Sequence, residues 1–403
     1  MSNIFKLYFL EIFLGGGGRV FQAYGITLRM ILFSLIILYF IKDILVNKKI
    51  KGDRCFLLIN GILLFWIAFS GFIGILNDAS VLDIISDIKP LSYLFIIPPL
   101  IHFFCLKKIN PKEIYNILVY SLAIVVTLSL TLTLLISIGY FNNISILRND
   151  IDNYIGSFEI GIRANGAVYY NGFYYLLIGV LMVYSKIKVS STRKFEKVFF
   201  ILGSLTLVAS TTKGLIISLI LGIIIIGNVS SKRIDKKIIK NIIFIISMIM
   251  IYSFILIKIP YFERILVSNS LSEKGVMIRI AYTKEALSAM NNLKVFIGQG
   301  LGFSLPSEGA GHLENSFLEI LLEQGIIGLM IWLSYIFITC KKLLNIFKSE
   351  EDFFSLGLFT GVVVTTILTL TNPYINNPLG ISLLGISMGY ISQKKLKIEV
   401  LEN

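Results

Sequence analysis

Charge is scarce in this chain. Of 403 residues, only 15% are Asp, Glu, Lys or Arg, while 56% are hydrophobic. A soluble domain is about 25% charged and about 45 to 50% apolar, so the excess apolar residues have no soluble core to fill and must face lipid. Histidine is almost missing: His102 and His312 are the only two, which excludes a multi-histidine metal centre. The three cysteines, Cys55, Cys105 and Cys340, lie in or beside apolar runs with no C-x-x-C spacing. A disulfide framework and a cysteine zinc site are thereby excluded. Internal repeats and low-complexity tails are also lacking, and the composition rules out disordered and fibrous chains.

What the chain has instead is hydrophobic length, with a mean hydropathy of +0.82. Apolar runs lie at 4–22, 26–46, 55–75, 90–106, 114–139, 167–185, 196–210, 214–228, 241–258, 315–340, 353–371 and 379–392. At about 20 residues per span, these predict about 12 transmembrane helices. The first run contains Lys6, Glu11 and Gly15 to Gly18; the glycines are expected to let the first helix pair turn. No small-residue cleavage site follows it, so it does not read as a signal peptide.

The net charge of +13 would point to nucleic acid in a soluble protein, but here every second loop is basic. The basic groups are Lys42, Lys48, Lys49, Lys51 and Arg54; Lys107, Lys108 and Lys112; Lys186, Lys188, Arg193, Lys194 and Lys197; Lys232, Arg233, Lys236, Lys237 and Lys240; Lys341, Lys342 and Lys348; and Lys394, Lys395 and Lys397. The positive-inside rule makes their side the cytoplasm and predicts that both termini are cytoplasmic. The opposite side receives 76–89 with Asp78, Asp83 and Asp87, 140–166 with Asp150, Asp152 and Glu159, the turn at Thr212, and the long segment 259–314. A loop of that size is normally functional. Within it, Ile278 to Met290 reads as a short helix at the membrane surface.

With the basic loops explained by orientation, the informative cations are those on the outer face: Arg19, Arg29, Lys89, Arg148, Arg163, Lys213, Lys258, Arg264, Lys274, Arg279, Lys284 and Lys294. Three have distinctive settings. Arg163 lies in Gly-Ile-Arg-Ala-Asn-Gly before an apolar helix, Lys213 in Ser-Thr-Thr-Lys-Gly between two runs, and Arg279 ahead of Gly298-Gln-Gly-Leu-Gly302. An ionisable group at a bundle mouth is a functional candidate; the bland alternatives are interfacial anchoring and snorkelling. The glycine cluster follows no strand, so it is expected to be a flexible turn rather than a nucleotide loop. Asp150 and Asp152 read as a solvated loop in preference to a metal site. Tyr169, Tyr170, Tyr174 and Tyr175 read as an interfacial aromatic belt, and His102, Trp66 and Trp332 as packing or belt residues.

The stretch Gly311-His-Leu-Glu-Asn-Ser-Phe-Leu-Glu-Ile-Leu-Leu-Glu-Gln-Gly-Ile-Ile-Gly328 resembles the signature of the O-antigen polymerase and ligase superfamily: a polar head with Asn315, then Leu318, then Gly325 and Gly328 entering an apolar helix. Two further segments are similar to that family, the Arg279 segment with its glycine turn and the Thr-Thr-Lys-Gly turn, where Lys213 stands in place of a frequent arginine. The resemblance implies an all-α polytopic membrane protein of GT-C-like architecture, a single membrane domain over 1–403 with its large outer loop between helices 9 and 10. It also implies glycosyl transfer from an undecaprenyl-diphosphate-linked oligosaccharide on the outer side of the bacterial inner membrane, without metal, nucleotide sugar or other cofactor.

On that resemblance Arg163, Lys213 and Arg279 bind the diphosphate, since fixed cations offset its developing charge and arginine pairs with two phosphate oxygens. The base that takes the acceptor proton is Glu314 or His312: Glu314 stands where ligases carry the histidine of a His-Asn pair, and His312 is two positions earlier. The implied activity is repeat-unit polymerisation into O-antigen or capsular polysaccharide, with a ligase transferring glycan to lipid A core as the alternative. A transporter or flippase is a third reading, but it should show inverted repeats, and none is evident. A chain-length regulator and a flippase of the same pathway are the expected partners, and nucleic acid is not.

Overall fold

The computed structural model describes residues 3–16, 22–23, 26–138, 160–162, 167–170, 172–231, 281–286, 288–290, 293–305 and 315–402. The described helices are α1 (Asn3–Gly15), α2 (Leu28–Asn47), α3 (Arg54–Leu76), α4 (Val81–Leu91), a 3-10 turn (Ser92–Ile96), α5 (Ile97–Cys105), α6 (Pro111–Ser137), α7 (Phe173–Val189), α8 (Lys194–Ala209), α9 (Lys213–Ser230), α10 (Lys294–Ile297), α11 (Ser316–Glu350), α12 (Phe353–Leu368) and α13 (Pro378–Glu402). Two small antiparallel hairpins interrupt them, β1 (Gln22–Ala23) with β2 (Ile26–Thr27) and β3 (Ile160–Ile162) with β4 (Val168–Tyr170). Six helical segments are long and apolar enough to cross a membrane among the described residues. The chain is an all-α polytopic membrane protein.

Several boundaries differ from the hydropathy reading. The first run stops at Gly15, where Gly16 takes φ 54°. The segment 76–89 is helical from Val81, because Ser80 caps α4 through the Asp83 amide; Asp83 and Asp87 therefore stand on a helix. Pro90 and the 3-10 turn bend this helix into α5, and together they make one apolar segment, Val81–Cys105. The run at 241–258 lies outside the described residues, as does most of 259–314. Residues 281–286 and 288–289 are helical as expected, but Ala286 is buried against Leu305, Leu318 and Leu322, so this helix packs on protein.

The chain divides into two compact units: Met1–Lys42, Lys108–Asn269 and Ile346–Val364 form the first, and Asp43–Lys107, Ser270–Asn345 and Thr365–Asn403 the second. The first unit is built around α7, in which every residue from Phe173 to Ser185 is buried. A helix that is apolar all round needs neighbours on every side. Glycine contacts provide close approach: Gly179 faces Leu122 of α6, Gly203 of α8 faces Val180, Gly222 of α9 faces Leu181, and Gly357 of α12 faces Met182. Small residues let backbones approach where lipid supplies no hydrophobic drive. Tyr170, Tyr174 and Tyr175 are buried in this unit and do not form the expected belt.

Arg29, expected among the outer cations, is buried, with Nε 2.7 Å from Glu11 Oε2 and Nη2 donating to Gly16 O at 2.7 Å. This ion pair ties α1 to α2.

In the second unit, α13 packs along α5, with Gly385 against Leu100 and Gly389 against Phe104. One end of this unit is basic. Asp53 caps α3 by accepting from the Cys55 amide at 3.0 Å, and Lys342 of α11 and Lys395 of α13 reach its carboxylate at 2.5 and 3.6 Å. Close by in the chain fold, buried His102 meets Asp43 at 2.9 Å and accepts from the Lys51 amide. His102 is thus a packed, hydrogen-bonded residue.

Candidate active site

The other end of the second unit begins α11. Asn315 is its cap: the side-chain oxygen accepts from the Phe317 and Leu318 amides at 3.0 and 3.2 Å, satisfying donors that a helix start leaves open. The Glu319 amide donates to Asn315 O at 3.0 Å, which places Glu319 one turn below Asn315. Ser316 is buried; its amide donates to Thr369 O at 3.2 Å and its hydroxyl to Asn376 Oδ1 at 2.7 Å. Asn376 Nδ2 donates in turn to Glu319 Oε2 at 2.6 Å. A chain of polar contacts therefore joins the start of α11 to the 369–377 connection between α12 and α13.

Nine residues into α11 the helix breaks at Gly325, whose backbone (φ 66°, ψ −174°) is not helical. Breaking a helix frees carbonyls, and inside a membrane protein each must find a new donor. Leu322 O accepts from the Gln299 amide at 2.7 Å, Glu323 O from the Gly300 amide and the Ser70 hydroxyl at 3.0 and 2.7 Å, and Gln324 O from the Trp66 indole at 3.0 Å. The Gly298 to Gly302 turn is thus a packed clamp, correcting the expectation of a flexible one. Gly298, Gly300 and Gly302 have φ of 82°, 92° and 81°. A Cβ at Gly300 would stand 2.1 Å from the Gly74 nitrogen, so the motif needs glycine for both conformation and contact. The Asn77 amide group donates to Gln299 O at 2.7 Å, and Asp87 accepts from the Gly302 amide. The result is a half-helix, 316–324, held in register with its polar start intact.

Of the residues singled out from the sequence, Arg163, Arg279, His312 and Glu314 lie outside the described residues, as do Asp150 and Asp152. Arg163 directly follows β3, and Glu314 directly precedes Asn315 in the chain. Lys213 is described: it is the exposed first residue of α9, in the first unit. The turn before it holds Thr211 at φ 53°. That region is uncommon for a β-branched residue, and such strain concentrates at functional positions.

Glu319 and Asn376 escaped the sequence reading. Glu319 and Glu323 sit four apart in an apolar run and are 7% and 6% exposed, and an acidic pair at helical spacing inside a span was the available signal. Asn376 belongs to the asparagine-rich Thr371-Asn-Pro-Tyr-Ile-Asn-Asn377 stretch, whose importance shows only through its contact with Ser316.

The family described as O-Antigen ligase matches residues 198–333, from α8 through the half-helix and its break. Along nearly its whole length, 401 residues covering 96% of this chain and 94% of the relative, the chain is 25% identical to an O-antigen polymerase of Shigella flexneri. Both comparisons agree with the resemblance to the O-antigen polymerase and ligase superfamily. Three residues of the stretch that resembles the superfamily signature, Asn315, Leu318 and Gly325, are here the cap, a buried contact and the break of one half-helix.

Proposed function

We propose that this protein is a polymerase that joins undecaprenyl-diphosphate-linked oligosaccharide repeat units into O-antigen or capsular polysaccharide, acting at the outer face of the bacterial inner membrane. The observation that carries this reading is the colinear similarity over 96% of the chain to a protein called O-antigen polymerase. A glycosyltransferase of this kind uses a lipid-linked donor and neither metal nor nucleotide sugar. The match to the family described as O-Antigen ligase favours a second reading, transfer of finished glycan to lipid A core. The two differ only in acceptor. Both termini would face the cytoplasm, and a flippase and a chain-length regulator would act beside the enzyme.

In the proposed reaction a hydroxyl of the acceptor repeat unit attacks the anomeric carbon of the donor sugar. The bond from that carbon to the phosphate oxygen breaks, and its electron pair leaves with the undecaprenyl diphosphate. Arg163, Lys213 and Arg279 offset the charge that grows on the diphosphate; such preorganised groups are worth about 10²- to 10³-fold each in rate. The acceptor proton passes to Glu314 or His312. Register favours Glu314, because it directly precedes the capping Asn315, and His312 has the side-chain pKa suited to neutral pH.

The test is coupling of lipid-linked repeat units by the purified protein. Glu314→Gln is expected to lose coupling and His312→Ala to keep most of it; the reverse pattern would transfer the role to His312. Attachment of glycan to lipid A core without repeat-unit ladders would establish the ligase.

A further inference from the structure

We propose that the basic end of the second unit binds the headgroup of an anionic phospholipid, with Lys51, Arg54 and Lys107 as the cations that hold it. This surface is separate from the proposed glycosyl-transfer residues and does not rest on the polymerase reading.

Four stretches of chain meet at this end. The Lys51 amide donates to His102 Nδ1 at 3.0 Å, the Asp53 amide to Ser392 Oγ at 3.4 Å and the Gln393 side chain to Phe104 O at 2.9 Å, while Lys342 and Lys395 reach the Asp53 carboxylate. Within 43–54, 102–107, 341–345 and 392–395 the carboxylates are Asp43 and Asp53. Asp43 is paired with His102, and Asp53 with the two lysines. Lys51, Arg54 and Lys107 are exposed, and their side chains have no carboxylate or hydrogen-bond partner among the described residues.

Orientation in the membrane explains why lysines collect on one side. It does not explain why further cations surround a carboxylate that is already doubly paired. Arg54 is the sharpest case. It is the first residue of α3, at the positive end of the helix dipole, where a cation is unfavourable unless an anion stands nearby. Asp53 is one such anion, but Lys342 and Lys395 already offset it. The field left at the start of α3 is positive and favours a phosphate.

Exposed apolar side chains decide the kind of phosphate. Leu45 is 73%, Ile50 45% and Leu58 65% exposed. Ile50 directly precedes Lys51, and Leu58 lies four residues after Arg54, on the same face of α3. Inorganic phosphate or an acidic peptide would use the cations alone. A phospholipid uses both parts, with its phosphate on the cations and its acyl chains along the apolar side chains.

The test is native mass spectrometry of the full-length protein in neutral detergent, with palmitoyl-oleoyl phosphatidylglycerol, phosphatidylcholine of the same chains, and inorganic phosphate as probes. Wild type is expected to retain phosphatidylglycerol in preference to phosphatidylcholine, and inorganic phosphate should not displace it. Lys51→Gln, Arg54→Gln and Lys107→Gln should each weaken phosphatidylglycerol binding by about fivefold. Melting in lipid-free detergent should be unchanged, because only exposed side chains are altered. Combining Lys112→Gln, Lys194→Gln and Lys197→Gln removes as much charge from exposed positions of the first unit and should leave the affinity as it was.

A diazirine-bearing phosphatidylglycerol should cross-link wild type within 45–58, a readout that does not depend on how any variant folds. Equal losses from the two sets of three substitutions would reduce the site to diffuse charge. Displacement by inorganic phosphate would assign it to a free anion, and tight binding of a polyglutamate peptide that phosphatidylglycerol cannot displace would assign it to an acidic protein. Either result, or cross-links confined elsewhere, would overturn the lipid site.

Discussion

The two ends of the second unit treat a buried carboxylate in opposite ways. At the basic end, Asp53 is closed off: it accepts from the Cys55 amide, pairs with Lys342 and Lys395, and its own amide reaches Ser392. Burial alone would raise its pKa, but the Lys342 and Cys55 hydrogen bonds and the two lysine charges hold it below the ordinary 3.8. Three helices, α3, α11 and α13, are stapled there. At the other end, Glu319 accepts from the side-chain amide of Asn376 at 2.6 Å. One carboxylate is held by cations and the other by a neutral amide. One helix, α11, contributes to both: Lys342 near one end and Glu319 near the other.

The largest test of this division compares cations. Arg163→Ala or Arg279→Ala is expected to reduce polymer formation by about 10²- to 10³-fold, since each is proposed to act on transition-state charge, and Arg→Lys should recover only part because the bidentate fork is lost. Lys342→Ala should leave the rate per folded molecule near normal. Polymer ladders normalised to membrane-extracted protein would show this, and equal losses from Lys342 and the arginines would mean that Lys342 does more than fasten helices.

Next in size is the clamp on the broken half-helix. Gly300→Ala sets a methyl against the Gly74 backbone at φ 92°, where neither side can yield. Overpacking and strain together should cost about 3 kcal/mol or more, seen as poor accumulation or an early thermal transition in detergent. A normal melting profile would mean that the turn is looser than its contacts imply.

The smallest effect is expected at the closed end. Asp53→Asn should lower stability by about 1 to 3 kcal/mol. Because the folded carboxyl has a depressed pKa, its contribution is complete above the unfolded value of 3.8 and fades as pH falls from there toward the lower folded value. Denaturation followed across that acid range should lose this component in Asp53→Asn, while activity at neutral pH stays with the folded fraction. A variant as stable as wild type would show that Asp53 is not the fastener.

Much of this was legible in the chain. Hydropathy placed α2, α3, α6 and α9 to within a few residues, since the length of a span is set by lipid thickness and read from local composition. Asn315 and Gly325 were singled out together by the resemblance of their stretch to a family signature, and they prove to be a cap and a break. The pairing of Arg29 was not legible because its partner Glu11 lies 18 positions earlier, and the tyrosines at 170, 174 and 175 were misread because an aromatic near a helix start looks the same whether lipid or protein surrounds it.

The sequence by itself determined the membrane class, the alternation of basic loops and the family signature, all of which are sums over local windows or short fixed spacings. Tertiary structure alone decided which polar groups meet: Lys342 with Asp53 across 289 positions, Asn77 with Gln299 across 222, and Asn376 with Ser316 across 60. A buried polar group must be satisfied wherever the fold brings a partner, and that partner is chosen by how the helices pack, which local composition does not encode.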